Sequence, residues 1–150
     1  MDTKQESANL ILKLYELRRE EKMRKARDWF MRFSPESGQD VMNAVMNEET
    51  SAYFRMVTSY WEMAASLVNN GAIDEKLFND AGAEHVFVFA KLQPILGEMR
   101  QAFDSPQAFA NLERLVMNMP DAAERLDKMR ERFKLMARMR GETASKRAQV

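Results

Sequence analysis

A chain of 150 residues with 45% hydrophobic and 31% charged side chains has the composition of one globular domain, not of a disordered segment. The absence of cysteine excludes disulfides, thiolate catalysis and cysteine-held metals, and a formal net charge of zero argues against nucleic-acid binding by bulk charge alone. The longest apolar run, Val86 to Ala90, is too short to span a bilayer, and the first residues lack the apolar stretch of a secretory signal, so a cytoplasmic protein is expected.

Only five glycines and four prolines interrupt a sequence rich in Ala, Leu, Met, Glu, Lys and Arg, which favours helices throughout. The first is expected from about Ser7 to Phe33. Ile11, Leu12 and Tyr15, then Met23, Ala26, Trp29, Phe30 and Phe33, form its core stripe, with Leu10, Leu14 and Leu17 on the opposite side. Its middle is a solvated run with spaced pairs such as Glu20–Arg24 and Glu21–Lys25. Ser34-Pro35 ends it. Ser37 and Asp40 resemble a capping box opening a short helix through Val41 and Val45, followed by a turn at residues 47–50.

The stretch from about 51 to 70 is the expected centre of the fold. Tyr53, Val57, Tyr60, Trp61, Ala64, Leu67 and Val68 share one face, and Phe54, Met56, Met63 and Ala65 widen it, leaving a polar strip that includes Arg55, Glu62 and Asn69. Gly71 stops this helix, and Asp74 caps a short one through Phe78. A longer helix is expected over about 84–103, kinked by Pro94. Ser105-Pro106 reads as the start of the next, with Phe109, Leu112, Leu115 and Val116 inward. Pro120 and Asp121-x-x-Glu124 open the last, which Gly141 ends, leaving 141–150 as a frayed tail. The expected fold is therefore an all-α, single-domain bundle of five to seven helices, with residues 1–140 as the domain.

Charge is unevenly placed. From Arg125 onward nine basic residues face three acids, a net +6, whereas Glu36 to Glu98 carries ten acids against three bases, a net −7. A basic last helix lying across an acidic core explains this most simply; a polyanion site through Arg132, Lys134, Arg138 and Arg140 is the sharper alternative.

Tyr60-Trp61-Glu62, Gly71-Ala72-Ile73-Asp74, Leu92, Pro94-Ile95 and Arg100 together resemble the pattern of a family of small bacterial helical domains of unknown function. The similarity covers about a third of the chain and departs at Phe89, where that family often carries Trp, and in the outer helices. It implies a helical fold and no assigned activity.

Individual residues offer little chemistry. His85, the sole histidine, sits on an apolar stripe without partner spacing, so a buried structural role is preferred to acid–base work. Asp74 to His85 has the length of a calcium loop, but Lys76, Phe78 and Asn79 occupy positions that need ligands or glycine. Glu62 beside Trp61 suggests a catalytic acid, yet helical geometry turns it toward Arg55 and Asn69, as a surface carboxylate. The scattered glycines form no phosphate loop. The thirteen methionines read chiefly as core filling, with Met139 and Leu135 off the main stripe.

No catalytic, cofactor or metal residues are expected, and the chain leans away from enzymes. The leading expectation is a non-catalytic interaction module, a homodimer or the binder of a protein partner, using Leu10, Leu14, Leu17, Leu135 and Met139. The leucine ridge of the first helix would be covered by a second copy or by the chain's own last helix. Two alternatives stand beside it. One is a nucleic acid or acidic membrane surface bound by the basic helix; the other is a small-ligand or enzymatic pocket near His85 and Pro94.

Overall fold

The computed structural model describes residues 3–149, and among them nine α-helices and one 3-10 turn carry the fold, with no strand. Helix α4 (Glu48–Asn69) is its centre. Phe54, Val57, Tyr60, Trp61, Ala64, Ala65 and Val68 are buried along it, and α2 (Glu21–Arg32), α3 (Gly38–Met46) and α8 (Ala110–Met117) pack against it. Met63 stays at the surface instead of widening the core. The helix begins earlier than its apolar pattern, because the Asn47 side chain accepts the N–H groups of Glu49 (2.9 Å) and Thr50 (3.3 Å).

The helix count exceeds the expected five to seven because two long segments divide. The first breaks at residues 18–20 into α1 (Thr3–Leu17) and α2. Glu20, expected to pair with Arg24, instead caps α2 by accepting Lys22 N–H (3.1 Å) and Met23 N–H (3.0 Å), and those two bonds lower its carboxyl pKa. The break resets the helical phase. Ser7, Ile11 and Leu14 face inward on α1, so Leu14 is 7% exposed and Leu12 60%, the reverse of the sequence expectation. Ser7 belongs on that buried stripe because its Oγ accepts the Asp74 N–H (2.9 Å), joining α1 to α5 (Glu75–Ala81).

The second division is at Pro94. Helix α6 (Glu84–Leu92) passes through the 3-10 turn Gln93–Ile95 into α7 (Leu96–Ala102). The ring removes one N–H, and the chain tightens to 3-10 geometry at that point. Helix α3 then meets α7 at Gly38, whose N–H donates to Glu98; a Cβ there would lie 2.7 Å from Glu98 Cβ, so this approach needs glycine.

Ser105-Pro106 does not start a helix. Residues 104–109 turn through two non-glycine left-handed residues, Asp104 and Phe109, before α8 begins at Ala110. Asp121 is likewise left-handed and makes no capping bond, so the expected box at α9 (Ala122–Ala148) is absent. Nor does Gly141 end α9, which stays helical to Ala148. Its proximal half packs on α6 and α8 through Ala122, Leu126, Met129 and Phe133. From Lys134 to Gln149 every residue is exposed. Only the proximal half of the basic helix therefore lies against the acidic segment, where Arg130 donates to the Ala90 carbonyl and to Gln93 Oε1 (both 3.1 Å). Its i,i+4 and i,i+3 pairs, Lys128–Glu124 (3.2 Å) and Arg130–Asp127 (3.0 Å), close within α9 itself.

Candidate functional site

The densest polar cluster joins α1, α2, α4 and α6. Glu84, in the first turn of α6, receives Arg27 Nε and Nη2 (both 2.8 Å) and Arg18 Nη1 (3.1 Å). The fork-on-carboxylate geometry raises the Arg27 guanidinium above its ordinary pKa, with the Glu84 hydrogen bond as the main cause. The same guanidinium reaches the carbonyl of Arg18, and Tyr60 donates its hydroxyl to the carbonyl of Leu14, so the end of α1 is tied to both α2 and α4. Burial pushes the Tyr60 phenol up to about 12. Arg18 covers the Tyr15 ring at 4.7 Å and the Trp61 ring at 5.9 Å.

Behind this cluster lies a cavity of about 60 Å³, room for one or two waters, walled by Tyr15, Arg18, Tyr60, Trp61, Phe78 and His85. Trp61 stands edge-on to Tyr60 at 4.8 Å, and its indole N–H has no hydrogen-bond partner among the described residues. His85 is buried, with Nε2 2.9 Å from Asn79 Oδ1 and its ring 4.8 Å from Phe78. Burial lowers its pKa to about 4, so the ring is neutral near pH 7 and poorly matched to proton transfer there. The cavity can orient a very small polar molecule; its one histidine supplies no acid at neutral pH.

Three charged side chains outside the cluster bind backbone. Glu62 accepts the N–H groups of Asn111 and Leu112 (both 2.9 Å), capping α8 from a neighbouring helix. One turn pair further along α4, Asn69 donates to the Asn111 carbonyl (3.0 Å). The polar strip of α4 thus meets α8, and Glu62 is a tertiary cap where sequence placed it at the surface. Arg100 holds the 104–109 turn through the Ala108 carbonyl (3.0 Å) and Glu113 (2.9 Å). Lys91 directs its ammonium to the carbonyls of Phe30, Met31 (both 2.8 Å) and Phe33 (2.6 Å), closing the end of α2, with Phe87 and Phe133 rings 5.1 and 5.2 Å away. Burial, then Arg140, push its pKa down to about 8. No local spacing marks Lys91 or Glu84, because their partners lie 57 to 66 residues away in sequence.

His85 and Pro94 do not share a pocket. His85 lines the small cavity, whereas Pro94 lines a separate groove of about 260 Å³ with Pro35, Lys91, Arg130 and Phe133. The basic candidates Arg132, Lys134, Arg138 and Arg140 are exposed and form no ion pair among the described residues. Leu10, Leu17, Leu135 and Met139 are also exposed, but Leu14 is in the core, so the expected leucine ridge is interrupted. Leu135 and Met139, 50% and 56% exposed, do not cover α1 within the chain. No group of three or more His, Asp or Glu side chains is gathered for a metal among the described residues. No described helix is long and apolar enough to cross a membrane.

These features define an all-helical domain whose deep polar groups mostly join helices to one another. The chain belongs to the family described as "Domain of unknown function (DUF4760)", whose model matches residues 5–119. Helix α9 lies wholly beyond the matched residues. No curated protein and no solved structure matches the chain.

Proposed function

We propose that this chain is a non-catalytic interaction module that acts through self-association or a protein partner. One observation carries the reading: large apolar side chains stay exposed in two separate places, Leu12, Tyr15 and Leu17 on α1 and Leu135, Met136 and Met139 on α9. The buried and half-buried ionisable groups Glu62, Glu84, Arg100 and Lys91 support it from the other side, since each is engaged with backbone or an ion-pair partner. The proposal places the module in the cytoplasm, a compartment that suits a cysteine-free chain. Light scattering over a concentration series tests it. An apparent mass rising above that of one chain supports self-association, and a constant monomer leaves only the heterologous partner.

A second reading has its own observation. Arg132, Lys134, Arg138 and Arg140 are exposed cations on α9 that form no ion pair among the described residues. Under that reading α9 binds a polyanion, and affinity for labelled single-stranded RNA or anionic vesicles falls steeply as salt rises. No binding at low salt removes it.

A further inference from the structure

The distal half of α9 and a groove elsewhere on the domain have matching chemistry. From Lys134 to Gln149 every residue of the helix is exposed, and Leu135, Met136 and Met139 fall within an arc of about 100° on it. Arg138 and Arg140 flank that arc on either side. The segment from Lys134 to Gln149 carries five bases against Glu142, a net +4. Across the molecule, the junction of α1 and α2 stands off α4 and leaves an open groove of about 720 Å³. Leu17, Met23, Met56 and Met63 give it apolar walls, and Glu16 and Glu20 give its rim two carboxylates against the single cation Lys13. Both surfaces are rich in methionine, whose unbranched side chains adapt to a docked helix.

Resting on the self-association reading, we propose that the distal half of α9 of one copy lies in the α1–α4 groove of a second copy, reciprocally. Leu135, Met136 and Met139 enter between Leu17, Met56 and Met63, in the helix-in-groove mode, and the flanking arginines meet Glu16 and Glu20. A second copy is the occupant because one chain carries both complementary surfaces, whereas its own α9 leaves the domain over α6 and α8. Exchange between two copies covers Leu17 and Met63 together with the exposed α9 set and closes as a symmetric pair. The thirteen methionines, which exceed what the core uses, then have a second role at this contact.

Light scattering on the full chain, with circular dichroism to verify folding, provides the test. The wild type is dimeric, and Leu135→Glu/Met139→Glu and Leu17→Glu/Met63→Glu each lower the apparent mass about twofold. The absence of native cysteine allows a second measurement that needs no disruptive variant. Met139→Cys chains mixed with Leu17→Cys or Met63→Cys chains form a disulfide heterodimer on mild oxidation, in preference to either homodimer. A wild-type monomer at every concentration overturns both this proposal and self-association. A dimer that survives either double substitution, or a mixture giving no heterodimer at either groove position, overturns the docking alone and leaves self-association standing. A wild-type monomer shifted by RNA or anionic vesicles transfers the α9 end to the polyanion reading.

Discussion

Helix α4 and the distal half of α9 are both continuous helices, but they are held by different forces. Along α4 the helical turns are reinforced from outside: Trp61 and Phe54 are buried, Glu62 and Asn69 bond to α8, and Tyr60 bonds to α1. Beyond Phe133, α9 has only its own backbone bonds and its helix-favouring residues, continued from a packed proximal half. The same secondary structure therefore has two meanings. In α4 it is a consequence of burial, and side chains there are constrained by neighbours. In distal α9 the side chains are exposed and available to another molecule.

The contrast is open to direct attack. Trp61→Ala is expected to have the largest effect, a loss of about 3–5 kcal/mol in urea unfolding, because a large ring is removed from the packed centre. A near-neutral result would show that α4 is not the centre of stability. The His85 environment comes next. Its folded pKa of about 4 lies below the ordinary 6.5, so between those values the unfolded chain binds the proton more readily. Stability attributable to His85 is complete above about pH 6.5 and declines, by roughly 3 kcal/mol, as pH falls from there through 4. Comparing the pH dependence of unfolding for wild type and His85→Gln isolates that contribution; identical slopes would mean the ring is not buried neutral.

Glu62→Ala leaves two N–H groups at the start of α8 without their acceptor and is expected to cost about 2 kcal/mol. The cost disappears if α8 is capped by solvent equally well. Asp74→Ala removes the side-chain cap to Leu77 N–H (2.8 Å) and is expected to cost about 1 kcal/mol, read from the shift in unfolding midpoint. At the small end, deletion of residues 135–150 is expected to change monomer stability by less than about 0.5 kcal/mol, since residues 135–149 are all exposed. A larger loss would mean that distal α9 supports the domain as α4 does, and the contrast between them would fail.

Local sequence signals determined much of this protein. Apolar spacing placed α4, Asp74 and Ser37 marked the caps of α5 and α3, and Pro94 marked the division between α6 and α7, because caps and proline act within a few residues. The expected resemblance to a family of small domains of unknown function agrees with the family that matches residues 5–119. Other features depended on residues distant in sequence. The phase of α1 followed from the break at Glu20 and from Ser7 meeting Asp74, so Leu14 turned inward while Leu12 did not. Ser105-Pro106 is a false start, whereas α9 does begin directly after Asp121 and lacks only the capping bond. A capping signal is a local preference worth about 1 kcal/mol, and the residues that precede α8 and α9, Phe109 and Asp121, adopt left-handed backbone instead. Glu62, Glu84 and Lys91 acquired their roles only when helices remote in sequence brought backbone donors, guanidinium groups and carbonyls to them, since a carboxylate or amine alone specifies a charge and not its partner.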